Sequence, residues 1–125
     1  MSPRVLVAED EQIVAFDLEE KLKAMGYTVV GTAASGEEAV ELAERERPDV
    51  VLMDIKLQGA MAGTEAAKLI QRKTGVPIIF VTAYAGVFLR DPDQMQPPGI
   101  CLSKPFSSDQ LKSALAAVVN GQRPN

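Results

Sequence analysis

The chain has 125 residues, 46% apolar and 24% charged, which suits one globular domain with its own core and argues against disorder or a second domain. A formal net charge of −4 without a basic cluster excludes a phosphate-gripping nucleic-acid binder, and the absence of histidine excludes Ser-His-Asp and Cys-His catalysis and imidazole zinc sites. The apolar runs are short and interrupted and the single cysteine, Cys101, cannot form an internal disulfide, so no membrane span is expected and the setting read from sequence is cytoplasmic.

In chain order, Val5-Leu6-Val7-Ala8 reads as a first strand. A helix over about 11–25 comes next, with Val14, Leu18, Leu22 and Met25 as its apolar stripe and Gly26 as its terminator. Tyr27-Thr28-Val29-Val30 is the second strand. Ser35-Gly36-Glu37-Glu38 is a capping box, and the helix it opens stops before Pro48. Val50-Val51-Leu52-Met53 is the third strand, succeeded by a loop and a helix from about Thr64 to Lys73 that ends near Gly75. Pro77-Ile78-Ile79-Phe80-Val81 is the fourth strand, and Ile100-Cys101-Leu102 the fifth. Ser107-Ser108-Asp109-Gln110 caps a last helix whose Leu111, Leu115 and Val118 share a face and whose end is Gly121. Between the fourth and fifth strands a helix has room only over 87–90, because Pro92, Pro97 and Pro98 interrupt the rest of that segment; it is expected to be short, displaced or mobile. Continuously apolar strands separated by helices mean a parallel sheet covered on both faces, an α/β doubly wound fold.

Polar residues gather where the strands end: Glu9 and Asp10 after the first, Asp54 after the third, Thr82 after the fourth and Lys104 after the fifth. In a five-stranded sheet of order 2-1-3-4-5, ligands bind beyond the carboxyl ends of strands one and three, where the order reverses. Those two strands carry the acids. Three carboxylates in one crevice repel unless a cation is present, and an all-oxygen donor set suits Mg²⁺ better than zinc. Lys104 adds a second positive charge and Thr82 a hydroxyl, so the pocket is suited to a phosphoryl group. Asp54, ionised at neutral pH, can attack phosphorus without a general base. Singly, each residue has an ordinary role, Asp10 as a turn former or helix cap and Glu9 or Lys104 as a solvated charge. Five at the same end of successive strands call for a joint explanation.

This pattern resembles the receiver domain of two-component response regulators, in the acidic pair Glu9-Asp10, Asp54 in VVLMDIKL, Thr82 in IIFVTAY, and Lys104-Pro105-Phe106. The likeness covers roughly 4–120. It implies a flavodoxin-like fold in which Asp54 is the phosphoacceptor. Glu9, Asp10, Asp54 and the backbone carbonyl of Lys56 would hold Mg²⁺, Thr82 and Lys104 would contact the phosphoryl group, and the Lys104–Pro105 bond would be cis. The donor would be a phosphohistidine on a histidine kinase or histidine phosphotransfer protein. The output would be altered binding to a downstream protein, a phosphorylation-dependent dimer included. Beyond its own phosphotransfer and slow autodephosphorylation, no enzyme activity is expected. With four residues left after Gly121, the chain reads as one receiver domain over 1–125 without an output domain, either stand-alone or cut from a longer protein.

Departures from the family pattern are specific. Cys101 stands where receivers usually carry the Tyr or Phe that moves on phosphorylation, which puts the usual switch in doubt; Tyr84 is either part of a substitute signal or a partly exposed loop aromatic. The loop KLQGAMAG lacks a frequent proline and has Ala62 where an acid often precedes the glycine. A Mg²⁺-dependent aspartyl-phosphate phosphohydrolase is the alternative function, but haloacid-dehalogenase-like enzymes need a second acid two residues after the nucleophile, where Lys56 stands. A flavodoxin-like cofactor binder is disfavoured by the few aromatics, and GTAASGEE has P-loop glycine spacing with Glu37 in the lysine position.

Overall fold

A computed structural model describes residues 2–82 and 100–121. The elements run β1 Arg4–Ala8, α1 Gln12–Ala24, β2 Thr28–Ala33, α2 Gly36–Glu46, β3 Val50–Asp54, α3 Gly63–Thr74, β4 Ile78–Thr82, β5 Ile100–Ser103 and α4 Ser108–Gly121. The five strands lie in the order β2-β1-β3-β4-β5 and every pairing is parallel, as the sequence predicts. The short helix expected over 87–90, and Tyr84, lie outside the described residues.

Strand side chains alternate between two cores. Leu6, Ala8, Val51, Met53, Ile78 and Phe80 pack under α2 and α3, against Ala39, Ala43, Ala66 and Ile70. Val5, Val7, Val50, Leu52 and Ile79 pack under α1 and α4, against Leu18, Leu22, Leu111 and Leu115. Both layers exclude water from β3, whose five residues are all buried. That explains why it reads as an unbroken apolar run until Asp54.

Helix ends follow local chemistry. Ser35 Oγ accepts from Glu38 N–H at 3.2 Å, while the Glu38 carboxylate accepts from Ala34 N–H at 2.7 Å, one residue earlier than the usual capping box. At α4 the reciprocal pair is complete, with Ser107 Oγ accepting from Gln110 N–H (3.1 Å) and Gln110 Oε1 from Ser107 N–H (2.8 Å). Gly75 closes α3 in the left-handed region at φ +74.

Two expectations shift. β2 continues past Val30 to Ala33: Gly31, Thr32 and Ala33 pair with Leu6, Val7 and Ala8 after a register shift between Val5 and Leu6 that brings Ala33 opposite Ala8. In α1 and α4 the apolar stripes turn slightly: Ala15 and Val119 are buried, whereas Val14, Met25 and Val118 are half-buried.

Candidate functional site

The extra pairing of β2 positions the first acid. Glu9 N–H donates to the Ala33 carbonyl at 2.8 Å, so the chain stays in the sheet one residue beyond β1 and Glu9 is 4% exposed. That corrects the ordinary expectation of Glu9 as a solvated acid. Its Oε2 accepts from Glu11 N–H at 3.1 Å and its Oε1 from Lys104 Nζ at 2.8 Å. Asp54, 7% exposed at the end of β3, has the same arrangement: Oδ1 accepts from Lys56 N–H at 3.0 Å and Oδ2 from Lys104 Nζ at 2.9 Å. Each buried carboxylate thus has one oxygen on a backbone amide and the other on a shared ammonium. Among the described residues no buried side-chain nitrogen or oxygen lacks a hydrogen-bond partner.

Lys104 reaches this point from the turn after β5, where the Lys104–Pro105 peptide bond is cis, as expected. Asp10 is half-buried beside the pair. It does not serve as the cap of α1, since that position falls on Glu11, which makes no side-chain cap bond. One carboxylate oxygen from each of Glu9, Asp10 and Asp54 lies within 4.8 Å of the others. Three hard oxygen donors at this spacing fit Mg²⁺ by donor chemistry. The backbone of Thr82 ends β4 in register with Ser103, and its neighbour Val81 is in register with Asp54, which puts it at the same sheet edge.

The electrostatics derive from burial. Desolvation pushes the Glu9 carboxyl above its ordinary 4.5 and Asp54 adds to the rise, while Lys104 and the Glu11 amide act against it. For Lys104 burial acts downward, but the hydrogen bonds to Glu9 and Asp54 prevail and hold its ammonium above the ordinary 10.5. Burial likewise raises the Cys101 thiol above 9.0, so this half-buried side chain, packed against the α2/α3 core, is an inert thiol rather than a reactive one.

Two hollows adjoin the cluster. A crevice of about 220 Å³ between the acid pair and the start of α2 is lined by Glu9, Asp10, Gln12, Thr32, Glu38 and Gln58. A groove of about 410 Å³ between α1 and the cis-proline turn is lined by Val14, Leu18, Lys21, Lys104, Pro105 and Phe106.

Gly63, the glycine after Ala62 to which sequence reasoning gave no role of its own, belongs to the site. Its N–H donates to the Ile55 carbonyl at 3.0 Å, and a Cβ there would collide with the Asp54 carbonyl oxygen and stand 2.8 Å from Ile55 Cα. Both obstacles are backbone. Gly63→Ala should therefore cost about 3 kcal/mol of stability by forcing the end of β3 to move. Urea unfolding curves that superimpose on the parent's would show that this close approach is unimportant.

A family model described as response regulator receiver domain matches residues 5–116. The chain is 41% identical over 117 residues to a transcriptional regulatory protein, PdtaR, of Mycobacterium tuberculosis, covering 94% of this chain and 57% of that one. It spans about half the length of the curated relatives it matches. Among solved structures, the signal receiver domain of a modulated diguanylate cyclase from Desulfovibrio desulfuricans is similar at TM-score 0.85 and 35% identity, covering 97% of this chain and 96% of that one. The receiver domain of a sensor histidine kinase from Pseudomonas aeruginosa, solved with a magnesium ion coordinated in its active-site cleft, is similar at TM-score 0.82 and 32% identity, covering 96% of this chain and 99% of that one.

Proposed function

The chain belongs to the response regulator receiver domain family, and from that premise we propose that Asp54 accepts a phosphoryl group from a phosphohistidine on a histidine kinase or histidine phosphotransfer protein, changing how the protein binds a downstream partner. The observation that carries this reading is the shared ammonium: Lys104 holds buried Glu9 and Asp54 together at 2.8 and 2.9 Å. That contact pre-forms an anionic cluster with its own counter-charge.

In the reaction an Asp54 carboxylate oxygen forms a bond to phosphorus while the P–N bond of the donor breaks and the imidazole leaves. The Lys56 amide holds one Asp54 oxygen and so fixes the plane of the nucleophile. Lys104 lies where negative charge accumulates. Glu9, Asp10, Asp54 and the carbonyl of Lys56 would hold Mg²⁺, which supplies charge neutralisation of the phosphoryl oxygens when bound. Thr82, at the end of β4, is assigned the remaining phosphoryl contact. The protein turns over no separate substrate in this reading. Cytoplasmic placement, the usual setting of receiver domains, goes with this reading.

Incubation with Mg²⁺ and acetyl phosphate tests the proposal, with intact mass as the readout. One acid-stable, base-labile phosphoryl group per chain is expected, and no uptake at saturating donor and metal would overturn it. Rapid multiple turnover of phosphate esters would favour the phosphohydrolase instead.

The donor has a surface on which to dock. Ile13 and Phe16, 85% and 63% exposed, lie one turn apart on α1, immediately after the acid pair. Phe16→Ala should slow transfer from a phosphohistidine protein about tenfold, the effect of losing about 1.4 kcal/mol of docking energy. Transfer from acetyl phosphate should not change; if both donors slow equally, Phe16 supports the fold rather than the encounter.

A further inference from the structure

The loop between β3 and α3 is fixed at three places. At its start Lys56 N–H holds Asp54 Oδ1 at 3.0 Å, and at its end Gly63 N–H returns to the Ile55 carbonyl at 3.0 Å. Its middle is attached to another element. Gln58 N–H donates to the Ala34 carbonyl at 3.3 Å, and Ser35 and Gln58 form an isolated parallel bridge. Next to it Met61 lies so close to α2 that a Cβ on Gly36 would be 3.0 Å from both Met61 Cγ and the Met61 carbonyl oxygen. A Cβ on Gly59 would be 3.3 Å from the Glu37 carboxylate. Behind the bridge, the Glu38 carboxylate holds Ala34 N–H and Ser35 Oγ holds Glu38 N–H, so Ala34 and Ser35 are rigidly part of the α2 cap.

Resting on the reading of Asp54 as the acceptor, we infer that this loop transmits the state of Asp54 to the first turns of α2, so that the phosphorylation-sensitive surface includes residues 34–41 with exposed Glu37, Glu38 and Glu41. Phosphorylation replaces a carboxylate by a neutral acyl group bearing a phosphoryl dianion, and the Lys56 amide is the loop's contact with that change. The amide now donates to a carboxylate oxygen, and once the charge has moved out to the phosphoryl oxygens this charge-assisted bond must be remade at a new position. The loop cannot absorb the adjustment alone, because close-packed contacts at Met61 and Gly36 have no slack. Cys101 on β5, small and without a ring, offers no comparable lever.

Amide hydrogen exchange on the full chain, with and without Mg²⁺ and acetyl phosphate, tests this, using intact mass of the same samples to report phosphorylation. A several-fold slowing across 34–41 and 56–63 is expected in the phosphorylated protein and none in Asp54→Asn. Full uptake with unchanged exchange at 34–41 overturns the inference and leaves the receiver reading standing; no uptake overturns both. Gly36→Ala should take up the phosphoryl group as the parent does while losing the slowing at 34–41. Slowing that persists undiminished in that variant would show that Met61 and Gly36 are not the link.

Discussion

Asp54→Asn should abolish phosphoryl uptake completely while leaving the protein folded. The carboxamide oxygen is neutral and far less nucleophilic than the carboxylate it replaces. Folding should survive because the amide oxygen can still accept from Lys56 N–H, and Lys104 keeps its 2.8 Å bond to Glu9. One buried charge fewer also relieves like-charge crowding with Glu9, so the net change in stability should stay within about 1 kcal/mol. Intact mass after exposure to acetyl phosphate and Mg²⁺ reads the first expectation, and thermal unfolding reads the second. Uptake at the parent's level would move the acceptor role to another acid of the cluster. A variant that fails to fold would show instead that the carboxylate is a structural element.

Much of this site is legible in the sequence because each of its residues sits next to an apolar run. Asp54 is read from VVLMD and Lys104 from ICLSK, and parallel topology carries both to the same sheet edge. The doubly wound parallel sheet comes from the same pattern, with helices of amphipathic period between strands that have none, whereas the order 2-1-3-4-5 comes with the resemblance to receiver domains. What sequence does not show is the depth of Glu9. Its burial depends on β2 extending to Ala33 after a register shift, and a shift of that kind leaves no periodic signal. Gly63 is similar, since its requirement for a missing Cβ arises from the Asp54 carbonyl across the loop rather than from a turn of its own. The exposed pair Ile13 and Phe16 falls outside the predicted stripe of α1, so it appears only by subtraction once Leu18 and Leu22 are known to face the sheet.

Lys104→Met should destabilise the metal-free protein by about 2 kcal/mol at neutral pH and make its stability strongly dependent on Mg²⁺. Removing one partner of a buried ion pair costs about 3–5 kcal/mol because the remaining charge is stranded. The smaller figure applies here because the Lys104 side chain is 24% exposed and water can partly replace it. Two carboxylates, with side chains only 2% and 9% exposed, are then left facing each other. Mg²⁺ held by Glu9, Asp10 and Asp54 would supply the missing positive charge, and linkage predicts a larger rise in melting temperature with Mg²⁺ for the variant than for the parent. The pH dependence has a definite sign. Glu9 already titrates above its ordinary 4.5, with Lys104 among the groups acting against that rise, and losing the ammonium raises it further. A raised folded-state pKa means that the folded protein binds the proton more tightly than the unfolded chain, so stability falls as pH rises through the folded value and recovers on acidification toward 4.5. Lys104 in the parent gives the corresponding alkaline effect: its contribution is complete below 10.5 and is lost as pH rises through its higher folded value. Urea unfolding of variant and parent between about pH 5 and 8, with EDTA or with Mg²⁺, reads the Glu9 effect, and unfolding of the parent above pH 10.5 reads the Lys104 effect. A variant equal in stability to the parent in EDTA, and no more responsive to Mg²⁺, would show that solvent rather than Lys104 neutralises the acids.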